Sequence, residues 1–439
     1  MTFPNRLPRL PYMPITRRLG LLRDHDFRGL FVSTTVSQFG HQLTTLAIPL
    51  IAVAVLSAGE FQVGMLTAAA SAAFLLVGLP AGAWVDRMRR RNVLIVADVA
   101  RGALLLTVPV AWWCDVLTIW QLYVVVLVNG VFTVFFDVAY QSYLPHLVGR
   151  RHLMEGNSKL EAVRAVSQLS GPGLAGLLIQ WLTAPVVLFL DAVALATSAL
   201  AVARIRSREV VEPVAPGTRL RTQIGEGLRF VFGNRLLWSI ALCTGIGNLF
   251  YTMYASMELV FLARELHQTP GTIGLIFSVS GAGGLLGAFV ARRLTARFGQ
   301  GPTMWLSMLP VGPAAALMPM AAPGWSLWLA ALGGVVVSMG VVVYNITQVS
   351  FRQGLTPDRL LGRMNATMRF LVWGTMPLGG LIGGVLGEIL GARGTMWVGV
   401  VGSGLAFLPI VLSPLRRMRE LPTTGGDSDV LAENPKAAA

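Results

Sequence analysis

Several ionisable side chains interrupt the long apolar stretches of this 439-residue chain, and six of them are candidates for a functional role. They are Asp98, Arg101, Asp137, Glu161, Arg164 and Glu258. A charged group inside a lipid bilayer is costly, so such residues are functional candidates by default. Asp98 and Arg101 are three residues apart, as are Glu161 and Arg164, so each pair can share one helix face. We interpret each as an intramembrane ion pair that serves either structure or transport chemistry.

Two of the carboxyl groups, Asp137 and Glu258, have no basic residue at helical spacing. A carboxyl group without a nearby cation in a low-dielectric cavity can exchange a proton near neutral pH. Both residues are therefore predicted proton-coupling sites. The alternative is that they lie at the membrane interface and are solvated. Asp191 is expected to be an exposed residue at the outer end of a helix.

A second group of polar residues has the chemistry to bind a small molecule. Amide, imidazole and phenol groups can hydrogen-bond a ligand, or they can join neighbouring membrane helices. His41 can also titrate near neutral pH, and a hydrogen-bonded structural histidine is the alternative. The predicted cavity and substrate residues are Gln38, His41, Gln42, Asn248, Tyr251, Asn345 and Gln348.

The composition indicates the kind of element that must position these groups. Hydrophobic residues make up 54% of the chain and charged residues only 13%, about half of the roughly 25% that is typical of soluble domains. So few charges cannot coat soluble domains, which excludes a soluble enzyme, a disordered protein and a disulfide scaffold. No nucleophile–base pair, metal-ligand spacing or nucleotide-binding lysine motif is evident, so we expect no enzymatic activity, cofactor or metal.

Twelve apolar runs are long enough to cross a bilayer core, which takes about 20 residues each. The runs lie near 30–56, 61–84, 93–113, 118–143, 158–180, 184–203, 235–262, 270–291, 302–321, 325–350, 363–387 and 392–414. The predicted fold is an all-α membrane protein with twelve transmembrane helices in two six-helix bundles. Its predicted parts are an N-terminal tail at 1–29, bundles at 30–203 and 235–414, a central loop at 204–234 and a C-terminal tail at 415–439.

The net charge of +14 follows the predicted topology. Nearly all basic residues fall in the tails and in alternate loops, whereas the opposite loops hold only Arg264 and Arg393. Because basic residues concentrate in cytoplasmic loops, both tails and the central loop are predicted to be cytoplasmic, in a multi-pass protein of the plasma membrane. The positive charge is therefore not interpreted as a nucleic-acid-binding surface.

The two halves of the chain repeat weakly. Arg151 and Asn157 recur 208 residues later as Arg359 and Asn365. Parallel repeats related by an axis along the membrane normal are typical of transporters that hold their substrate between the two halves.

The loop between the second and third runs reads Gly82-Ala-Trp-Val-Asp86-Arg87-Met-Arg89-Arg90-Arg91. This loop resembles the G-x-x-x-D-R-x-G-R-R signature of the major facilitator superfamily, with arginine at position 89 instead of the usual glycine. The resemblance implies a cytoplasmic gate in which the glycine allows close helix approach and the aspartate pairs with arginines near a helix end of the second half. The alternative is a generic basic loop. The implied gate residues are Gly82, Asp86, Arg87, Arg90 and Arg91.

A longer stretch, from Phe136 to Leu178, makes the resemblance specific to one branch of the superfamily. Together with Asp98 and Arg101, it is similar to the branch that contains macrolide efflux pumps and the enterobactin exporter. The matching positions in the stretch are Leu144, Pro145, Asn157, Gly171, Pro172 and Gly176. The glycines of the fifth helix allow close packing, and its proline removes a backbone hydrogen bond and bends the helix. A packing role and a mechanical role both remain open for this motif.

The resemblance implies a secondary active exporter of bulky, partly apolar small molecules, such as antibiotics, that works by alternating access and proton antiport. A siderophore exporter or a nutrient importer of the same fold is an alternative. A non-transporting membrane sensor or assembly protein is another. The expected partners are a small-molecule substrate, protons and the lipid bilayer, without nucleic acid, and the chain is expected to be a monomer.

Overall fold

The computed structural model describes residues 20–85, 87–207 and 220–419, and none of these residues lies in a β-strand. The helices of the first half are α1 (His25–Leu50), α2 (Glu60–Val85), α3 (Arg90–Trp113), α4 (Ile119–Gly149), α5 (150–182) and α6 (Ala184–Ala203). Those of the second half are α7 (Leu220–Gly233), α8 (Arg235–Val260), α9 (Pro270–Phe298), α10 (Gln300–Met308), α11 (Val311–Ala315), α12 (Ser326–Leu355), α13 (Asp358–Trp373), α14 (375–390), α15 (392–405) and α16 (Leu408–Val411). The protein is therefore an all-α membrane protein.

Nine helical stretches in the described part of the chain are long and apolar enough to cross a membrane. One of them, Leu360–Val411, has 52 residues and reverses direction at Gly391. At 1.5 Å per residue it would extend about 78 Å, more than twice the roughly 30 Å of a bilayer core, so it supplies two crossings. With α5 and the α10–α11 segment as further crossings, the count is consistent with the twelve predicted.

The apolar run predicted as one helix at 302–321 is broken. Helix α10 ends at Met308 and α11 begins at Val311, with Pro310 between them. Proline has no backbone N–H and its ring crowds the preceding turn, so it interrupts a helix. Apolar length alone did not predict this break.

Helix α7 occupies part of the segment predicted as the central loop. Its Glu226 accepts a hydrogen bond from Arg363 of α13, and Gly227 lies against Thr367 of the same helix. Helix α7 is therefore attached to the second bundle.

The internal repeat is clearer in the backbone than in the sequence. Helix α1 ends in a π-helical turn at Ile51–Val55, and α8 ends in one at Phe261–Glu265. Each turn is followed by a residue with positive φ, 51° at Ser57 and 50° at His267. These matching features lie 210 residues apart, so the two halves are structural repeats.

Among the described residues, a buried hydrophobic cluster shared by the two halves lies at one end. We call this the outer end, following the predicted charge topology. One cluster there includes Leu50 of the first half and Phe261 and Ile273 of the second. Towards the inner end each half packs around its own cluster, centred on Phe136 in the first half and on Phe351 in the second. The halves are therefore packed together at the end defined here as outer and have separate hydrophobic cores towards the other end.

Candidate transport cavity

A cavity of about 770 Å³ lies between the two halves. Its size falls in the range of about 300–1,000 Å³ that is typical of small-molecule sites. Most of its wall is apolar, and helices of both halves contribute to it. Six of the polar residues singled out in the sequence line it, namely His41, Gln42, Asn248, Tyr251, Glu258 and Asn345.

The other predicted site residues lie elsewhere. Gln38 and Asp137 are half-buried and do not line the cavity, and Gln348 is buried behind it. The Gln348 Nε2 donates a hydrogen bond of 3.4 Å to the Oδ1 of Asn345, which does line the cavity. Gln348 can therefore orient Asn345 but does not itself face a bound molecule in this conformation.

Asn248 is placed both to bind a ligand and to join two neighbouring helices. It lines the cavity, and its Nδ2 donates a hydrogen bond of 3.1 Å to the backbone carbonyl of Val372. This bond joins α8 to α13. Tyr251, one turn further along α8, is 53% exposed and lines the same cavity.

Two polar cavity residues on α4 were missed by sequence reasoning. Asn129 and Thr133 both line the cavity, and the Thr133 hydroxyl donates a 2.8 Å hydrogen bond to the carbonyl of Asn129. Their spacing of four residues within an apolar run places them on one helix face. This four-residue spacing of two polar residues is the feature of the sequence that could have identified them.

Glu258 is a half-buried carboxyl group near the outer end of the cavity. Among the described residues it has no hydrogen-bond partner and no ion-pair partner for its side chain. Tyr254 and Tyr251, one and two turns earlier on α8, also line the cavity. Glu258 thus presents an uncompensated carboxyl group to whatever occupies this space.

Asp137 has a different environment. Arg101 of α3 and Arg164 of α5 lie within electrostatic range of its carboxyl group. Both cations come from neighbouring helices, so local spacing could not reveal them. Asp137 therefore lies near cations of the first bundle and is not among the described residues that line the cavity.

The two predicted ion pairs differ sharply in exposure. Asp98 and Arg101 are 3.6 Å apart, with side chains 0% and 3% exposed. Glu161 and Arg164 are 3.9 Å apart, and their side chains are 70% and 51% exposed. An exposed pair contributes little to stability, whereas losing one partner of a buried pair costs about 3–5 kcal/mol.

Asp191 was expected to be exposed at a helix end, and this was wrong. It lies within α6, is 1% exposed, and accepts a hydrogen bond of 2.6 Å from the hydroxyl of Thr44 on α1. Its apparent place at a helix start came from an apolar run that begins only seven residues earlier. The packing of α1 against α6 buries it.

The gate motif falls partly outside the described residues, because Asp86 is not among them. No described atom lies within 4 Å of a Cβ added at Gly82, so the close approach predicted there is not seen in this conformation. Arg87 is exposed. The Nε of Arg91 donates a 3.3 Å hydrogen bond to the carbonyl of Val202, at the end of α6. A cation at a helix C-terminus is favourable because the free carbonyls there carry negative charge.

The glycines of α5 form the interface with α9 of the other half. Gly176 and Gly274 face each other so closely that a Cβ added to either would come 2.9 Å from the Cα of the other. The N–H of Gly173 donates a 2.8 Å hydrogen bond to the hydroxyl of Ser278. Gly171 instead makes room for the side chain of Gln42 on α1.

A similar interface joins α2 to α14. Gly64 of α2 faces Gly384 of α14, where an added Cβ would come 3.1 Å from the Gly64 Cα. Both glycine interfaces lie towards the outer end of the helices, as that end is defined above. They hold the outer end closed through close backbone packing.

The two basic residues predicted on the outer side form two different ion pairs. Arg264, after α8, lies 3.4 Å from the carboxylate of Glu60 on α2 and also donates to the backbone carbonyl of Ala58. Arg393 pairs at 3.2 Å with Glu265 within the second half. Of these two pairs, only Arg264–Glu60 joins one half to the other, and we call it the outer latch.

Two repeated bundles, closed at one end around a central cavity, define a transporter of the major facilitator superfamily and not an enzyme. The chain belongs to the transmembrane secretion effector family of that superfamily, whose profile matches residues 16–433.

Relatives extend over most of the chain. It is 27% identical over 405 residues to the multidrug efflux pump Tap of Mycolicibacterium fortuitum, covering 89% of this chain and 96% of that protein. It is 26% identical over 425 residues to the enterobactin exporter EntS of Escherichia coli O127:H6, covering 93% and 98%. The solved structure of a nucleoside transporter NupG mutant superposes with a TM-score of 0.72 at 13% identity, covering 88% of this chain and 99% of that one.

Proposed function

We propose that the protein is a secondary active exporter of bulky, partly apolar small molecules, driven by proton antiport across the plasma membrane. The observation that carries this proposal is a cavity between two bundles that exposes the carboxyl group of Glu258 without a cation. The names of two relatives, a multidrug efflux pump and an enterobactin exporter, support the direction of transport. The protein works as a monomer with both termini in the cytoplasm.

Export follows from the two ends of the cavity opening in turn. In the inward-facing arrangement, cargo enters from the cytoplasm between the two separate inner clusters. Opening to the outside requires Arg264 to leave Glu60 and the glycine interfaces of α5 and α2 to separate. Glu258 then takes up a proton from the outside, and its release on the inner side completes the cycle. Asp137 is the second candidate for this proton.

The lining of the cavity favours neutral or cationic cargo. The cavity lining formed by the described residues includes Glu258 but no lysine or arginine. An anionic molecule would lose its hydration there without gaining a compensating cation. A siderophore exporter is therefore the weaker candidate, supported only by the similarity to the enterobactin exporter.

Inverted membrane vesicles test the proposal with ethidium, a lipophilic cation, as probe. We expect uptake that collapses when an uncoupler removes the proton gradient, because proton movement supplies the free energy. Uptake that persists unchanged after the uncoupler would show that antiport is not the mechanism.

Glu258→Gln should abolish gradient-driven uptake, because the amide cannot carry a proton. Glu161→Gln is the matched control, since that carboxyl group is exposed and does not line the cavity. Expression of each variant is compared by immunoblot. Wild-type uptake in the Glu258 variant would exclude this residue from coupling.

A further inference from the structure

Asp191 is a deeply buried carboxyl group that has no part in the transport cycle described so far. Its Oδ2 accepts the hydrogen bond from Thr44, while its Oδ1 has no hydrogen-bond partner in the part of the chain that the structure describes. The Oδ1 instead lies against the backbone of Gly40 on α1. A buried carboxylate with one oxygen unpartnered is costly.

The charges around Asp191 do not balance if every group is ionised. Helix α3 presents Asp98 and Arg101, and the guanidinium of Arg101 lies within electrostatic range of both aspartates. Helix α4 adds Asp137, which has the exposed Arg164 of α5 in range as well as Arg101, and α1 adds His41, which is also in range of Arg101. Asp98 and Asp191 therefore share one buried cation, Arg101.

Arg101 interacts more strongly with Asp98 than with Asp191. The Oδ1 of Asp98 forms an ion pair with Arg101 at 3.6 Å, and its Oδ2 accepts a hydrogen bond from the hydroxyl of Ser198. Arg101 is oriented by donating a 2.8 Å hydrogen bond to Ser37. Among the described residues, Asp191 accepts a hydrogen bond only from the Thr44 hydroxyl. Of the two aspartates, Asp191 is the one that must be neutralised in another way.

Thr44 connects this buried group to the cavity. Its hydroxyl bonds to Asp191, and the residue itself is part of the cavity lining. A hydroxyl group can donate one hydrogen bond while accepting another. It can therefore pass a proton between a water molecule in the cavity and the carboxyl group behind it.

The second half of the protein has no carboxyl group at the position equivalent to Asp191. The turns before α6 and α15, at Thr183 and Gly391, correspond at an offset of 208. That offset places Gly399 where the first half has Asp191, and Gly399 packs against Tyr254 of α8. The equivalent bundle thus packs without a carboxyl group at this position.

We propose that Asp191 is a proton-binding residue that holds a proton while the outer end is closed and gives it up through Thr44 to the cavity as cargo binds. The O–H bond of the carboxyl group breaks as its proton bonds to the hydroxyl oxygen of Thr44, and the proton that Thr44 already carried passes to a water molecule on the inner side. The carboxylate that remains accepts a hydrogen bond from Thr44 and draws Arg101 away from Asp98. This assignment rests on the proposed proton antiport. With this assignment, the first half has one proton-binding residue, Asp191, and the second half has another, Glu258.

Infrared spectroscopy of the purified protein tests the protonation without any transport. A protonated carboxylic acid has a carbonyl stretching band that a carboxylate lacks. We expect wild type minus Asp191→Asn at neutral pH to show the loss of one such band. Asp98→Asn should lose the same band, because Asp191 would then ionise to pair with Arg101. A spectrum that keeps every acid band in Asp191→Asn would overturn the assignment.

Proton release on binding ethidium tests the coupling, using a pH dye and protein in detergent. Asp191→Asn should release about one proton fewer per ethidium bound than wild type. Thr44→Val should slow the release, and Thr35→Val is its control on the same helix, because the Thr35 hydroxyl bonds only to Phe31 of its own helix. Equal release by wild type and Asp191→Asn would contradict the role of Asp191. A wild type that shows the acid band but releases no proton would contradict the antiport proposal and leave the buried proton in place.

Discussion

Substituting one glycine at the α5–α9 interface should shift the protein towards the outward-open state. In Gly274→Ala, the new Cβ would overlap the carbonyl oxygen of Pro172 and come 2.9 Å from the Cα of Gly176. These are backbone atoms, so the clash cannot be relieved by rotating a side chain. Overpacking of this kind costs about 1–3 kcal/mol. Because the clash exists only while the outer ends touch, the closed state should lose about 5–150-fold in relative population.

Distances between spin labels at Ser57 and His267 measure this shift, since the two residues occupy equivalent turns at the outer end. The labels are attached to cysteines introduced at both positions, with the two native cysteines replaced. We expect a longer distance to gain population in Gly274→Ala. Gly78→Ala is the matched control, because no described atom lies within 4 Å of its added Cβ. An unchanged distance distribution in Gly274→Ala would refute the idea that glycine packing holds the outer end closed.

Two further substitutions test the latch and the cavity. Arg264→Gln removes the charge that faces Glu60 and should open the outer end severalfold by the same distance measurement, whereas Arg393→Gln, whose partner lies within the second half, should not. Tyr251→Ala, at a residue 53% exposed in the cavity, should weaken ethidium binding by about 0.5–2 kcal/mol through loss of a cation–π contact. Unchanged affinity in a titration of the purified variant would remove Tyr251 from the binding site.

Much of the architecture could be predicted from the sequence because each membrane helix needs a long apolar run, and such runs are visible residue by residue. The buried Asp98–Arg101 pair could also be predicted from the sequence, since a spacing of three residues places both side chains on one helix face. The cavity residues of α1 and α8, such as His41 and Tyr251, were found because polar groups stand out within apolar runs.

The remaining features depend on contacts between helices that are distant in sequence. Asp191 and Thr44 are separated by 147 positions, and only the packing of α1 against α6 brings them together. The cations near Asp137 come from α3 and α5, so its environment could not be predicted from its own helix. The break at Pro310 could have been predicted from the residue type. It was missed because apolar length was the only criterion applied to that run.

Transport by the purified protein in lipid vesicles tests the central claim most directly. The protein is reconstituted, a pH gradient is imposed across the membrane, and ethidium movement is recorded together with the internal pH. The proposal predicts that ethidium accumulates on the acidic side and that its movement dissipates the pH gradient, with both signals lost in Glu258→Gln. Accumulation of ethidium at the same rate and extent without a pH gradient would contradict proton antiport.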